Sequence, residues 1–250
     1  MLKFSPANAK TKALYLVREV YPFLAGQRKV YSLDLSAGHS CPGAKDCLSR
    51  VVPRDDDPAR FRILDGPKCQ FRCFSASQEI VYANTRKLRR HNLDVLRKMR
   101  GWKQCREMLA ASLPADAGVV RYHVAGDFFK ASYLQGAIAL ANVRPNVLFY
   151  TYTKSLPFLE GLDLPDNFRV TASLGGKHDH LIEGLGIRTA RVVYSEQEAA
   201  DLDLPIDHTD AHAASHGGSF ALLLHGVQPA KTPAARALQA LKGTGSYARK

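Results

Sequence analysis

Four of the five cysteines of this chain lie in one short stretch, Gly38 to Phe74, which reads GHSCPGAKDCLSRVVPRDDDPARFRILDGPKCQFRCF. They are Cys41, Cys47, Cys69 and Cys73. Five residues separate the first pair and three separate the second, so the spacing differs from the paired C-x-x-C of a zinc ribbon. Thiolates bind both zinc and iron–sulfur clusters. The stretch therefore predicts a metal centre. If three thiolates hold an iron–sulfur cluster, one iron keeps an open position for a substrate or cofactor. If all four cysteines are ligands, the site is closed.

The residues between these cysteines are rich in Pro, Asp and Arg and show no apolar period. Such a segment buries little apolar surface, and we expect the metal to hold it in place. The fifth cysteine, Cys105, lies in a helical pattern and is interpreted as a packing residue.

A long helical pattern from about residue 78 to residue 111 is strongly basic, with Gly101 as a candidate break. Cations at helical spacing repel one another unless an anion neutralises them. The pattern therefore favours phosphate contact, although a solvated helix face is the simpler alternative. The candidate nucleic-acid residues are Arg86, Lys87, Arg89, Arg90, Arg97, Lys98 and Arg100.

The formal net charge of +12 is confined to the first half of the chain. Residues 1–130 carry 24 Lys and Arg against 12 Asp and Glu, whereas residues 131–250 carry 11 of each. A one-sided basic field favours a polyanionic partner, most often nucleic acid. The sequence has no apolar run long enough for a membrane helix and no signal-peptide pattern, so we expect a cytoplasmic protein in which clustered cysteines are ligands.

Six β-rich segments, most of them followed by a helical pattern, predict the fold. The strands are expected at 29–34, 119–125, 147–153, 168–173, 189–195 and 220–225. Alternation of this kind gives a parallel sheet with right-handed crossovers. We predict an α/β protein with a partial (β/α)6 barrel or an open parallel sheet, spanning 29–245 as one domain with a cysteine-rich insertion at 36–77. Residues 1–28 are predicted to form an N-terminal helical arm and the last residues a frayed tail.

Polar or glycine-rich groups follow every predicted strand, at the edge where parallel α/β folds place their active sites. The candidate catalytic residues are Asp127, His123, Lys154 and Ser173, and the candidate cofactor-binding residues are Gly126, Gly175, Gly176, Ser195 and His225. Simpler roles stay open: Asp127 as a helix N-cap, Lys154 as a surface lysine, and the glycine pair as a turn. A later tract with His208, Asp210, His212 and His216 predicts either a solvent-facing loop or a metal or substrate lid.

Several segments together resemble the actinobacteriophage gene product 88 family: LSAGHSCPGAKDCLSR, FRCFSASQE, RYHVAGDFF, FYTYTKSLP, TASLGG, IDHTDAHA and ALLLHGVQPA. The similarity runs from about residue 33 to residue 240. It implies no settled activity, but it marks Cys41, Cys47 and Cys73 as the recurrent cysteines and Cys69 as an addition.

Three cysteines after the first strand of a six-unit barrel are also similar to the layout of radical S-adenosylmethionine enzymes, although their C-x-x-x-C-x-x-C spacing is absent. That resemblance implies a [4Fe–4S] cluster on three thiolates, with S-adenosylmethionine at its open iron and its amine near Gly126 and Asp127.

Three hypotheses follow. The first is a phage-encoded, radical-type iron–sulfur enzyme that acts on a nucleic acid or nucleotide. The second is a zinc-containing base-exchange or hydrolytic enzyme with Asp127 as nucleophile, and the third is a nucleic-acid-binding protein without catalysis.

Overall fold

In a computed structural model that describes residues 1–8 and 10–241, a seven-stranded sheet curls into an open half-barrel. Its strands, in chain order, are β1 (Ser5–Pro6), β2 (Lys29–Leu33), β5 (Ala117–Tyr122), β6 (Leu148–Thr153), β7 (Phe168–Ser173), β8 (Thr189–Val193) and β9 (Phe220–Leu223). The order across the sheet is the same as the order along the chain. All neighbours pair in parallel except β1, which pairs antiparallel with β2 at the edge. The predicted α/β fold with six parallel strands is confirmed.

The helices are α1 (Tyr21–Leu24), α2 (Phe74–Val81), α3 (Ala83–Arg97), α4 (Trp102–Ser112), α5 (Ala131–Asn142), α6 (Ile182–Leu185), α7 (Glu196–Asp201), α8 (Ala211–Ala214) and α9 (Pro233–Ala240). Short 3-10 helices cover Thr11–Leu16, Leu156–Phe158 and Asp179–Leu181.

The two faces of the sheet are both buried, because the strands alternate between two apolar clusters. Tyr122, Phe149 and Phe168 pack under α3, α4 and α5. On the opposite face, Val119 and Leu148 pack against the N-terminal segment and α8. Because β2 and β5 to β9 are parallel, their carboxyl ends lie along one rim of the sheet, which we call the mouth.

The N-terminal arm differs from the predicted helix. Residues 1–24 hold the edge strand β1, one 3-10 helix and the single turn α1, while Leu14 and Val20 are buried and Leu16 is 90% exposed. The predicted continuous helix was therefore wrong. Leu14 and Val20 are buried because the segment packs onto the sheet.

The cysteine insertion is more ordered than its composition indicated. It contains an antiparallel hairpin of β3 (Ser49–Pro53) and β4 (Phe61–Asp65). A small apolar cluster forms beneath it from Ala37, Val51 and Ala76 with partly buried neighbours. The expectation that this stretch shows too little apolar character to order itself was wrong, because the hairpin and α2 together form this cluster; the metal stays a prediction.

The long basic pattern forms three helices, α2, α3 and α4, separated at Tyr82 and at residues 98–101. Gly101 is the N-cap of α4, so the predicted break lies there. Cys105 is fully buried in the core, as expected. Within the described ranges, none of the helices has the length and apolar character needed to cross a membrane. The predicted tail at residues 242–250, with the last four residues of the predicted domain, lies outside the described residues.

Candidate metal centre

The cysteine insertion is bound directly to the mouth of the half-barrel. Ala44 forms a β-bridge with Gly176, the Asp46 N–H donates to the Gly175 carbonyl at 3.0 Å, and the Lys177 N–H donates to the Gly43 carbonyl at 2.9 Å. A methyl group at Gly43 would lie 2.0 Å from the Lys154 carbonyl oxygen. The insertion thus approaches the ends of β6 and β7 as closely as glycine permits.

Three of the four thiols lie near enough to one another, beside this contact, to influence each other electrostatically. Burial raises the pKa of Cys41 well above its ordinary value, and nearby charge on Asp127, Cys73 and Cys47 adds to the shift. Burial likewise raises the pKa of Cys47 to about 12, opposed by Lys154 and reinforced by Cys73 and Cys69. Cys41, Cys47 and Cys73, defined here as the thiol triad, therefore lie within electrostatic range of one another although 25 residues separate Cys47 from Cys73.

Cys69 is set apart from the triad by its hydrogen bonds. Its thiol donates to the Phe71 carbonyl at 3.0 Å and lies 3.7 Å from the Ser49 hydroxyl. Partial burial raises its pKa, and the Ser49 contact opposes that rise. Cys69 still lies close enough to Cys73 and Cys47 to be electrostatically coupled to them.

Lys154 places a buried ammonium beside the triad. Only 7% exposed, it donates to the Ser173 carbonyl and hydroxyl, both at 2.7 Å, and to the Leu174 carbonyl at 2.6 Å. All three acceptors are neutral, and across the described parts of the chain no carboxylate forms an ion pair with it. Because a buried charge is costly without an opposite charge, this ammonium is suited to an anionic group at the triad.

Asp127 joins two strand ends. Its oxygens accept from the Thr153 hydroxyl at 2.6 Å and from the N–H groups of Phe128 and Lys154 at 2.7 and 2.8 Å. The carboxylate is buried, and burial raises its pKa against the pull of these hydrogen bonds. The geometry favours an anchor between the loops after β5 and β6 over an accessible nucleophile.

The other predicted rim residues also have partners within the chain. The N–H groups of Gly175 and Gly176 donate to the Asp179 carboxylate at 2.8 and 2.9 Å, so their anion site is filled from within. Gly126 lies against Leu35 and Ser40, where a methyl group would approach the Ser40 hydroxyl to 2.5 Å.

Ser195 is the N-cap of α7, since its hydroxyl accepts from the Glu198 N–H at 3.0 Å. His225 hydrogen-bonds to the Leu223 carbonyl through Nδ1, and burial lowers its pKa to about 4.

His123 is buried beneath the rim. Its Nε2 lies 3.0 Å from the Tyr133 hydroxyl, and its Nδ1 is buried without a hydrogen-bond partner. Burial lowers its pKa to about 3, so the imidazole is neutral near pH 7. A neutral, enclosed imidazole is not placed to exchange protons with a substrate at the mouth.

A cavity of about 380 Å³ opens beside the contact between insertion and rim. From the insertion it is lined by Asp46, Gln70 and Phe71, and from the ends of β7 and β8 by Leu174, Gly175, Asp179, Arg191, Val192, Tyr194 and Glu198. A cavity of this volume has room for a small ligand or one nucleotide unit.

Two of the seven residues of the predicted phosphate-binding face are engaged within the fold. Arg89 is 3% exposed and pairs with the buried Glu79 at 3.3 Å, so its charge is neutralised inside the fold. Arg86 lies over the Phe61 ring and donates to the Glu79 carbonyl. The remaining five, Lys87, Arg90, Arg97, Lys98 and Arg100, are exposed.

The late His/Asp tract contains a residue whose importance sequence reasoning missed. Asp210 is fully buried on the sheet face opposite α3–α5, and its carboxylate accepts from Arg121 as well as from Lys10 at 2.9 Å. The Tyr150 and Tyr152 hydroxyls donate to it at 3.0 and 3.2 Å. The surrounding cations hold its pKa well below the ordinary range. The alternation of Arg121, Tyr150 and Tyr152 along β5 and β6 was the available signal, since polar residues in buried strands need a partner.

Two of the three histidines of that tract contact groups other than Asp210. The His216 Nε2 lies 3.1 Å from Arg169, and the His212 ring packs on Phe220. Over residues 1–8 and 10–241, no group of three or more His, Cys, Asp or Glu side chains, the cysteines of the insertion included, is arranged so that it could hold a metal ion.

Taken together, fold and site define an α/β half-barrel protein with a thiol triad and a buried ammonium at its carboxyl-terminal mouth. Residues 2–241 match the family described as Gene product 88, and the chain belongs to that family. No curated protein and no solved structure matches it.

Proposed function

We propose that this protein is an iron–sulfur enzyme of the half-barrel class, whose cluster is held by Cys41, Cys47 and Cys73 and whose substrate is a nucleic acid or nucleotide. The observation that carries the proposal is the proximity of three thiols to the Lys154 ammonium, whose hydrogen-bond acceptors within the described residues are neutral oxygens. Thiolates bound to iron make an anionic centre, and Lys154 supplies the opposite charge.

A single zinc ion is disfavoured, because no group of three or more His, Cys, Asp or Glu side chains in the described residues is placed to hold one metal ion. Zinc draws four ligands to one point at about 2.0 to 2.3 Å. In an iron–sulfur cluster each thiolate binds a different iron atom, so the sulfur atoms do not surround one point. Three ligands leave one iron with an open position, where a substrate or a cofactor such as S-adenosylmethionine can bind.

The surroundings of the triad supply the remaining roles. Asp127 fixes the loops after β5 and β6, Ser173 orients the Lys154 ammonium, and the cavity at the ends of β7 and β8 receives the reacting group.

A phosphate-bearing partner is supported by the charge next to the centre. Arg97 donates to the His39 carbonyl at 3.2 Å, two residues before Cys41. Arg90, Arg50 and Arg97 all lie near enough to the His39 ring to lower its pKa, although burial is the larger cause. A polyanion bound on α3 would therefore lie beside the mouth.

The test is metal content after anaerobic purification and reconstitution with iron and sulfide. We expect iron and acid-labile sulfide in equal amounts, and a paramagnetic signal on reduction that changes when S-adenosylmethionine or a nucleotide binds. Cys41→Ser, Cys47→Ser and Cys73→Ser should each lose the cluster.

Cys69→Ser is the matched control and should keep it. Colourless protein with stoichiometric zinc, lost equally in all four variants, would overturn the iron–sulfur assignment and favour the zinc alternative.

A further inference from the structure

The corner between α3 and α4, residues 97–106, exposes an aromatic ring among cations. Trp102, the single tryptophan of the chain, is 40% exposed. The Lys103 ammonium lies 5.7 Å from the ring centroid, and the Arg106 guanidinium lies 5.9 Å from it. Lys98 and Arg100 are exposed on the preceding turn. An indole with both positively charged neighbours and open surface is unusual in this fold, where the large aromatic residues mostly fill the two cores.

This corner is joined to the mouth through hydrogen bonds. Lys130, three residues after Asp127, donates to the Leu96 and Met99 carbonyls at 2.8 and 2.5 Å. Arg97, one turn before Trp102, contacts the cysteine insertion at His39. The basic corner is therefore in contact with the segments that carry Asp127 and Cys41.

Flat apolar rings and phosphates alternate in single-stranded nucleic acid, and an exposed indole between cations matches both. In a duplex the bases stack on one another and leave no face for an indole. A protein surface that reads only phosphate needs no tryptophan.

We propose that residues 97–106 form a binding site for single-stranded nucleic acid, in which a base stacks on Trp102 and the flanking phosphates contact Lys98, Arg100, Lys103 and Arg106. This inference rests on the nucleic-acid part of the proposed function and goes further by naming the form of the partner and the side chain that reads it. The strand bound here would lead past Arg97 towards the mouth.

The indole itself is the probe. We expect a single-stranded oligodeoxythymidylate to quench Trp102 fluorescence, and a duplex or an abasic strand of equal charge to quench it far less. Affinity measured by anisotropy of a labelled oligonucleotide should fall about five-fold or more in Trp102→Leu, since one aromatic–base stack contributes that much. Trp102→Phe should recover part of the loss.

The salt dependence of the affinity separates the contribution of phosphate contacts from that of base stacking. Lys103→Gln with Arg106→Gln should reduce the slope of log affinity against log salt by about 1.4, because each phosphate contact to a single strand contributes about 0.7. Arg54→Gln with Arg62→Gln is the matched control: both arginines are exposed on the hairpin and pair with Asp56 and Asp55, so the slope should not change.

Equal affinity of wild type and Trp102→Leu for the single strand, or equal quenching by duplex and single strand, would overturn the proposal. Iron and sulfide content of Trp102→Leu should match wild type, and Cys47→Ser should still bind the oligonucleotide. The two proposals can therefore fail separately: absence of a cluster would not remove the single-strand site, and absence of single-strand binding at Trp102 would not remove the cluster.

Discussion

Replacing Asp210 by asparagine removes a negative charge that pairs with both Arg121 and Lys10 inside the half-barrel. The Asp210 side chain is fully buried, while those of Arg121 and Lys10 are 13% and 25% exposed. Its two oxygens accept four hydrogen bonds, from two cations and two tyrosine hydroxyls. The amide of asparagine keeps one acceptor oxygen and turns an NH2 group towards groups that are themselves donors.

We expect Asp210→Asn to lower the free energy of unfolding by about 3 to 5 kcal/mol, the usual cost of leaving a buried charge without its partner. Water that reaches Lys10 reduces this loss towards the lower figure. The measurement is urea unfolding followed by far-ultraviolet circular dichroism, with linear extrapolation to water. Asp201→Asn is the control, because Asp201 lies exposed on α7 and bonds only to the neighbouring Gln197 side chain.

The pH dependence gives an independent check with a defined sign. The folded-state pKa of Asp210 is depressed, so its contribution is complete above the unfolded-state pKa of about 3.9 and is lost as pH falls below that value. The difference between wild type and Asp210→Asn should be constant from pH 5 to 7 and shrink below pH 4.

Adding Arg121→Met to Asp210→Asn should recover part of the lost stability, since it removes an uncompensated cation. A loss below about 1 kcal/mol for Asp210→Asn, with no dependence on pH below 4, would refute the conclusion that the Asp210 carboxylate stabilises the fold through its charge.

Two further predictions concern the mouth. Metal binding to the apoprotein should release protons, and metal affinity should increase as pH rises from 6 to 8. Burial raises the pKa values of Cys41 and Cys47, and these thiols must lose their protons to bind a metal. A metal affinity independent of pH would contradict this prediction. Gly43→Ala should cost about 1 to 3 kcal/mol and reduce metal loading, because its methyl group would meet the Lys154 backbone. Gly184→Ala, which has open space around its Cα within α6, should leave metal loading unchanged and should not lower the thermal unfolding midpoint.

The sequence alone determined the parallel sheet. Continuous apolar runs such as the one ending at Thr153 are buried on both faces, and that burial leaves a strong local pattern. β6 and β7 were predicted within one residue because their hydrophobic boundaries coincide with the ends of pairing. The cysteines and the polar rim groups were also visible, since residue type carries their chemistry wherever they fold.

Tertiary structure decided how these groups are used. Asp127, Gly175 and Ser195 looked available in the sequence, yet each is satisfied by a partner brought close by the fold. Arg89 was indistinguishable from its neighbours on α3, because only the burial of Glu79 draws it inwards. The contacts of Asp210 join residues from the N-terminal segment, β5, β6 and the loop before α8. These residues are far apart in the sequence, and a local pattern does not predict contacts between distant segments. The physical reason is common to all of them: periodicity records which face of an element is buried, whereas the partner of a buried polar group is set by what the complete chain folds against it.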